Sequence, residues 1–563
     1  MDYLLMISWR LSINLLAACL VASQWGNCAS AASSNDLIRT VAVTGQASPG
    51  LPAGTVVDNF DWPGIDSVGR AYFMSVVQNG RLAAFAIHQE TNVDALALVA
   101  VQDSELAPNP NSFLERPANL IGNGVGQIIF TAEMGYRDPP VPSNAISALW
   151  IASPQDGLKE ITRSFAPAPG GGQFDDFSAI ALNDAGNFAF YASVRGGASR
   201  NGIWSTTENQ SLDLLAQTGQ LADGLGPGEH FGYTIRYPML NDVDETYFVA
   251  QLAGGRYGIL RHQPATGFTA TRDGDPAPGA GDGVVFEIPH YQKFEIGSRG
   301  GLGYLAQVTG DGINEANRWG IWSGTSMESV ACATRQNQFV PGSHSKRFET
   351  FLDPKVNSRG LAAFIAWTTE GELDPTTGRA LGARSESLWK QDSSGELVTV
   401  AEVGQQAPGL SDEITFSSFI TSWTDLTEYA INDVGQVAFL AQLQGPGLTL
   451  QNGLSLWVED RNGGLQLVAM PGMSIDVDDG PGIDHREIAS FFTNSQFQNS
   501  FNDQGQVVFI AEFVDGSRGV FVSNAGAIPE PNSMCLIATS SCAAMLLRNR
   551  SAMRPRSTCR SAG

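Results

Sequence analysis

Asn183-Asp-Ala-Gly186-Asn-Phe-Ala189-Phe190 is the stretch that decides how this chain folds. The same phrase returns as Asn432-Asp-Val-Gly435-Gln-Val-Ala438-Phe439 and as Asn502-Asp-Gln-Gly505-Gln-Val-Val508-Phe509. Asn357-Ser-Arg-Gly360-Leu-Ala-Ala363-Phe364 and Asn123-Gly-Val-Gly126-Gln-Ile-Ile129-Phe130 are two further copies. Three weaker copies end at Phe73, Phe248 and Tyr304, with Asp66, Asn241 and Gly297 in the Asn place. The eight closing aromatics stand 56 to 75 residues apart, so the chain is an array of repeats rather than a string of unrelated domains.

The phrase reads as a turn feeding a strand. An Asn side chain bonds the backbone two residues on and closes the turn. Gly three places later takes positive φ at little steric cost. The alternating apolar residues that follow enter a half-buried strand. Asp244 stands where the other copies have Gly, and a strained turn is expected there. Two more phrases travel with the turn. A strand ending in Trp follows at Trp150, Trp204, Trp322, Trp389 and Trp457, with Phe85, Leu260 and Phe521 expected in the other three places. Then comes a Val-Ala strand running toward Ala-Pro-Gly, as in residues 400–409 (VAEVGQQAPG) and 270–279 (ATRDGDPAPG). Each unit thus holds about four short strands, and no segment has the 3.6-residue periodicity of an amphipathic helix.

Eight four-stranded units predict an all-β fold, an eight-bladed β-propeller over residues 37–524. A β-solenoid, or two smaller β arrays, is the alternative, though solenoid coils use shorter repeats. The expected mature chain opens with a lone Val-Ala strand at residues 40–45 and closes with a lone Trp-type strand at 519–522. These two are expected to pair and complete one blade from both termini, which removes the open edges of the array. Asn-x-x-Gly turns and Trp-to-Val-Ala turns are short and fall on one face. The Ala-Pro-Gly loops and the variable Phe-to-Trp loops fall on the other, where binding is expected.

The ends read as addresses. Arg10, an apolar stretch over residues 11–23 and Ala29-Ser30-Ala31 form a secretory signal over residues 1–31, which implies the Sec translocon. Leu16-Ala-Ala-Cys19 offers a competing lipoprotein box. At the other end, Pro529-Glu530-Pro531 precedes a short apolar run and Arg548, Arg550, Arg554 and Arg556. Residues 528–556 resemble the PEP-CTERM sorting tail. That resemblance implies transient membrane anchoring and an exosortase-type partner, in a Gram-negative-type bacterium that places the body at its surface. The tail departs from the pattern in carrying Ser540, Ser541 and two cysteines in its apolar run. With the tandem phrase, residues 37–524 resemble the choice-of-anchor proteins with NxxGxxAF repeats, a family description that implies no activity.

Charge and motif content exclude several functions. The chain has 57 acidic against 33 basic residues, a net charge of −24, and five arginines sit in the last sixteen residues with no acid among them. The body is therefore more acidic still and repels phosphate backbones, so nucleic acid is not an expected partner. Of six cysteines only Cys332 lies in the body, which leaves no intradomain disulfide and makes Cys332 a small packing residue. Gly-x-Ser-x-Gly, His-Glu-x-x-His and Walker signatures are lacking, the six histidines are scattered, and the Gly-rich runs at 122–126 and 279–283 open no helix. No catalytic residue and no cofactor is assigned on sequence. Asp476, Asp478, Asp479 and Asp484 form a loose Ca²⁺ loop candidate, with Asp273, Asp275 and Asp282 as a second, against the simpler reading of solvated turns. The expected function is that of a secreted, non-catalytic scaffold or binding module for exopolysaccharide or a surface protein. An extracellular polysaccharide hydrolase or lyase is the alternative.

Overall fold

The computed structural model describes residues 37–527 apart from 94, 103–113, 135–145, 155, 207–210, 291, 421–427, 479–482 and 495. Residues 1–31, expected to be a secretory signal, lie outside the described residues, and so do residues 528–556, which resemble a sorting tail. So does Asp479. Among the described residues no helix is long and apolar enough to cross a membrane.

Eight antiparallel sheets follow one another along the chain. Blades 1 to 7 span 56–101, 114–163, 173–217, 231–272, 285–335, 346–402 and 415–469. Blades 1 to 4 have four strands in chain order from the innermost to the outermost; blades 5 to 7 keep that order with the innermost strand split in two, which makes five. Blade 8 takes its inner strands from 474–523 and its outermost strand from Ile38–Val43. There Thr40, Ala42 and Val43 sit opposite Phe521, Val520 and Gly519, so the two termini share one sheet as the unpaired phrases require. Blade 8 also meets blade 1 directly: Asn502 Nδ2 donates to the Asp66 carbonyl at 2.9 Å and Asn494 Nδ2 to that of Pro63 at 3.0 Å. The array is a closed eight-bladed propeller, and closure leaves no sheet edge at the join.

The repeated phrases explain each blade's core. The closing aromatic of the Asn-x-x-Gly phrase sits opposite the Trp of the third strand, as Phe190 does to Trp204 and Phe439 to Trp457. A Phe of the inner strand meets that Trp edge-on in four blades, with centroids 5.0 Å apart for Phe174–Trp204 and 5.2 Å for Phe416–Trp457. Edge-to-face packing satisfies the ring quadrupoles while burying the largest apolar areas in the sheet. The indole N–H then holds the incoming loop. Trp204 Nε1 donates to the Pro169 carbonyl at 3.0 Å and Trp322 Nε1 to that of Pro278 at 3.1 Å. Trp389 and Trp457 donate instead to Ser387 and Ser455 Oγ, both at 2.8 Å, so this cap on the loop belongs to blades 3 and 5.

Blade 1 corrects the expectation for the Trp place. Phe85 faces Val76, and the residue opposite Phe73 is His88. His88 is fully buried and stacked on Phe73 at 5.5 Å. Its Nε2 and Nδ1 bond Ser48 Oγ at 2.9 Å and Ser75 Oγ at 3.0 Å. Burial pushes its pKa down to about 4, so a neutral imidazole does here what indole does elsewhere. No local period announces this, because His is not an apolar residue.

Candidate functional site: the central channel

The inner strands surround a channel, and the Asn-x-x-Gly turns ring one of its mouths. Each Asn closes its own turn through Oδ1. Asn123 Oδ1 accepts the Gln127 N–H at 2.8 Å, and Asn432 Oδ1 that of Gln436 at 2.8 Å. The Nδ2 group points sideways to the next blade. Asn123 donates to the Asn183 carbonyl at 2.7 Å, Asn183 to that of Asn241 at 2.9 Å, Asn357 to that of Asn432 at 3.1 Å and Asn432 to that of Asn502 at 3.1 Å. Gly126, Gly186, Gly360, Gly435 and Gly505 all take positive φ, as the turn requires. Asp244 sits at φ 62, the strained value expected of an Asp in the Gly place. Its carboxylate accepts Asn183 Nδ2 at 2.7 Å and Asn187 Nδ2 at 2.8 Å, contacts that a Gly could not make.

The second residue of the phrase builds an acidic collar. Asp184 Oδ1 accepts the Gly124 N–H at 2.6 Å, and Asp242 that of Asp184 at 2.8 Å. Asp433 accepts the Ser358 N–H and Asp503 that of Asp433, both at 2.7 Å. Burial raises the carboxyls of Asp242 and Asp503. The charges on Asp184 and Asp433 add to that, while the backbone N–H bonds and Arg299 oppose it. Ser298 Oγ reaches Asp433 Oδ2 at 3.3 Å across a chord that skips blade 6, so this mouth is narrow. A 300 Å³ cavity lies within it.

A second cavity of 450 Å³ continues the channel inward, sharing Gly122, Leu182, Leu240, Ile296 and Gln498 with the first. Here the blades stop being alike. Four residues before the Asn place, blades 1 to 4 carry Trp62, Asn119, Ala179 and Tyr237. All four have positive φ, between 46° and 59°, at a bulge in the inner strand. A non-Gly residue so placed costs of order 1–3 kcal/mol, which the surrounding sheet must over-determine. In blades 5 to 8 the inner strand is interrupted instead, and the same place holds Lys293, Asp353, Glu428 and Gln498. Ala179, Tyr237, Lys293, Asp353 and Gln498 line the inner cavity.

Four of the charges in this waist form two pairs. Lys293 Nζ lies 3.6 Å from Asp353 Oδ2, and two residues further along the same strands Lys355 bonds Glu295. Burial raises the Asp353 carboxyl, with Lys293 opposing. The Asp353 carbonyl accepts the Tyr429 hydroxyl at 2.5 Å. Glu428 is lifted to about 7 by burial, and its Oε2 has no hydrogen-bond partner among the described residues.

The described Ca²⁺ candidates make local bonds of their own. Asp476 Oδ1 accepts the N–H groups of Asp478 at 3.2 Å and Asp484 at 2.9 Å, and Asp484 pairs with Arg486. Asp273 and Asp275 accept the N–H groups of Ile288 and Arg272. Among the described residues no three His, Cys, Asp or Glu side chains converge on a metal position. The waist residues were missed on sequence because they share no residue type. Their signal is the opposite one: a column at fixed offset from a repeating Asn in which nothing repeats.

The sequence matches a family described only as being of unknown function, DUF7453, over residues 18–386 and 258–535. No curated protein matches. Solved structures match at low identity and low TM-score. The WD40 domain of SCAP from fission yeast is 9% identical, over 87% of this chain and 98% of that one, with a TM-score of 0.34. The polysaccharide lyase Uly1 is 9% identical over 71% and 88%, at 0.32. The Aleuria aurantia lectin, a six-bladed β-propeller, is 10% identical over 64% and 99%, at 0.22. Scores this low say nothing about function.

Proposed function

The chain belongs to DUF7453, a family of unknown function, so we propose from its own geometry that it is a non-catalytic binding module of the bacterial surface or extracellular matrix. What carries this reading is the contrast between the two levels of the channel. Asn and Asp repeat around the collar, where they hold blades together. Around the waist the residue differs in every blade, which a purely structural ring does not need. Strain held at four of those positions adds to the same side of the balance. The ligand enters from the long-loop face, since the collar narrows the opposite mouth. Export through the Sec translocon and sorting by an exosortase-type enzyme complete the reading, on the strength of residues 1–31 and the Pro529-Glu530-Pro531 tail. The test is capture of exopolysaccharide and of surface protein from extracellular matrix by the purified chain. Failure to retain either in repeated washes discredits it.

One observation favours an extracellular polysaccharide-cleaving enzyme instead. Glu428, held near 7, has the pKa that a general acid or base needs, and it stands at the register of Asp353 in the adjacent blade. Turnover of a polysaccharide panel that Glu428→Gln abolishes while binding persists would move the assignment to catalysis.

A further inference from the structure

The waist defines what it can hold. Its two lysines are each committed to a carboxylate, Lys293 to Asp353 and Lys355 to Glu295, so neither is free to take a phosphate or a uronate, and the neighbouring Arg236 guanidinium lies over the Tyr237 ring, 5.8 Å from its centroid. Asp353 and Glu295 are committed in turn, Glu428 Oε2 has no partner, and among the described residues no three such side chains converge on a metal position. An ion pair of this kind still presents a donor and an acceptor side by side. One hydroxyl of a vicinal diol accepts from the ammonium while its neighbour donates to the carboxylate, and both charges stay balanced. Two such pairs lie one above the other across blades 5 and 6. Beside them, on blade 4, Tyr237 is 40% exposed and is held at φ 59 where its side chain lines the cavity. A tyrosine ring offers an apolar face with a polar tip. Gln498 adds an amide whose bond to the Ile431 carbonyl, at 3.4 Å, is long. The acidic collar below repels anions.

We propose that the channel waist binds an uncharged saccharide, with Lys293–Asp353 and Lys355–Glu295 each taking a vicinal diol and the Tyr237 ring covering the apolar sugar face. The 450 Å³ available falls within the range of pockets that enclose small ligands. This inference rests on the binding-module reading and names its ligand class.

Calorimetric titration of the full chain with maltotriose, cellotriose, chitotriose and mannotriose, and with trigalacturonate as the acidic counterpart, tests it. At least one neutral trisaccharide is expected to bind with submillimolar Kd, and trigalacturonate is expected not to. Tyr237→Ala should weaken that binding about tenfold or more, while Tyr237→Phe preserves most of it. The double variant Lys293→Met/Asp353→Leu should abolish it with Tm little changed, because it replaces an ion pair by two apolar groups rather than stranding one charge. Preference for trigalacturonate overturns the ligand class. Binding that survives Tyr237→Ala and the double variant, yet is lost on deleting residues 372–382, in the Phe364-to-Trp389 loop of blade 6, overturns the site while the binding-module reading stands. If no trisaccharide binds, the saccharide proposal falls, and capture of matrix protein still decides the broader reading.

Discussion

Asn123→Asp is the sharpest test of the collar, because blade 1 already carries Asp at this place. In the native chain Asn123 Nδ2 donates at 2.7 Å both to the Asn183 carbonyl and to Gln127 Oε1. Gln127 can rotate its amide and donate to a new carboxylate. The Asn183 carbonyl cannot, so a nearly buried anion would face an acceptor and lose the staple to blade 3. An unsatisfied buried polar group costs about 1–3 kcal/mol, and more when charged, which places this change near 3 kcal/mol. Unfolding entropy of about 2 cal/mol/K per residue over roughly 490 residues is about 1 kcal/mol/K, so Tm should fall by about 3 °C. Asp66 escapes this penalty. Arg70 Nε donates to its Oδ2 at 2.6 Å, an Arg70 Nη2 proton goes to the Val125 carbonyl at 3.0 Å, and Ser67 Oγ replaces the staple at 2.5 Å from the Gly124 carbonyl. Adding Gln127→Arg to Asn123→Asp rebuilds the first two contacts and should recover about half of the loss. Differential scanning fluorimetry of the single and double variants reads both numbers. A neutral Asn123→Asp, or a double variant no more stable than the single, would refute the claim that the amide donor joins the blades.

Four further outcomes follow from the same geometry. Glu428→Gln should raise Tm above pH 7 and lose that advantage near pH 4.5. The folded carboxyl, raised to about 7, destabilises when ionised, by about 3 kcal/mol at pH 8 on a scale of 1.36 kcal/mol per pKa unit, and this is relieved as pH falls through 7; equal gains at pH 8 and pH 4.5 would count against it. Gly297→Ala should prevent a native ring, since a Cβ there lies 2.3 Å from the Asn357 backbone carbon, and a soluble, native-like far-ultraviolet spectrum would contradict this. A mature chain shortened to start at residue 46 loses the outermost strand of blade 8 and should associate through the exposed edge of Arg518–Ser523; sizing that stays monomeric would argue otherwise. Replacing Pro529, Glu530 and Pro531 by Ala should leave the chain in the membrane fraction at unprocessed mass, and unchanged processing would remove the sorting proposal.

The sequence by itself determined the repeat, the number of blades and the way the ring closes. Those features rest on short-range physics: an Asn-x-x-Gly turn, a strand period of two, and tight joins that force neighbouring strands into one sheet. The lone strands at the two ends could then pair only with each other, as Ala42 and Val520 do. Tertiary structure alone decided what the turns are for. The Asn amide has two useful ends, and only the ring shows that the donor end reaches the carbonyl of the next blade, some 60 residues away. His88 in a Trp place was equally hidden, because its two serine partners come from a loop, Ser48, and from the neighbouring strand, Ser75. The waist was the least legible part. Tyr237, Lys293 and Asp353 have no local signal in common and meet only because ring closure brings one offset of every inner strand to the same wall. A repeat announces positions that the scaffold constrains; positions left free by the scaffold acquire meaning only when the blades stand side by side.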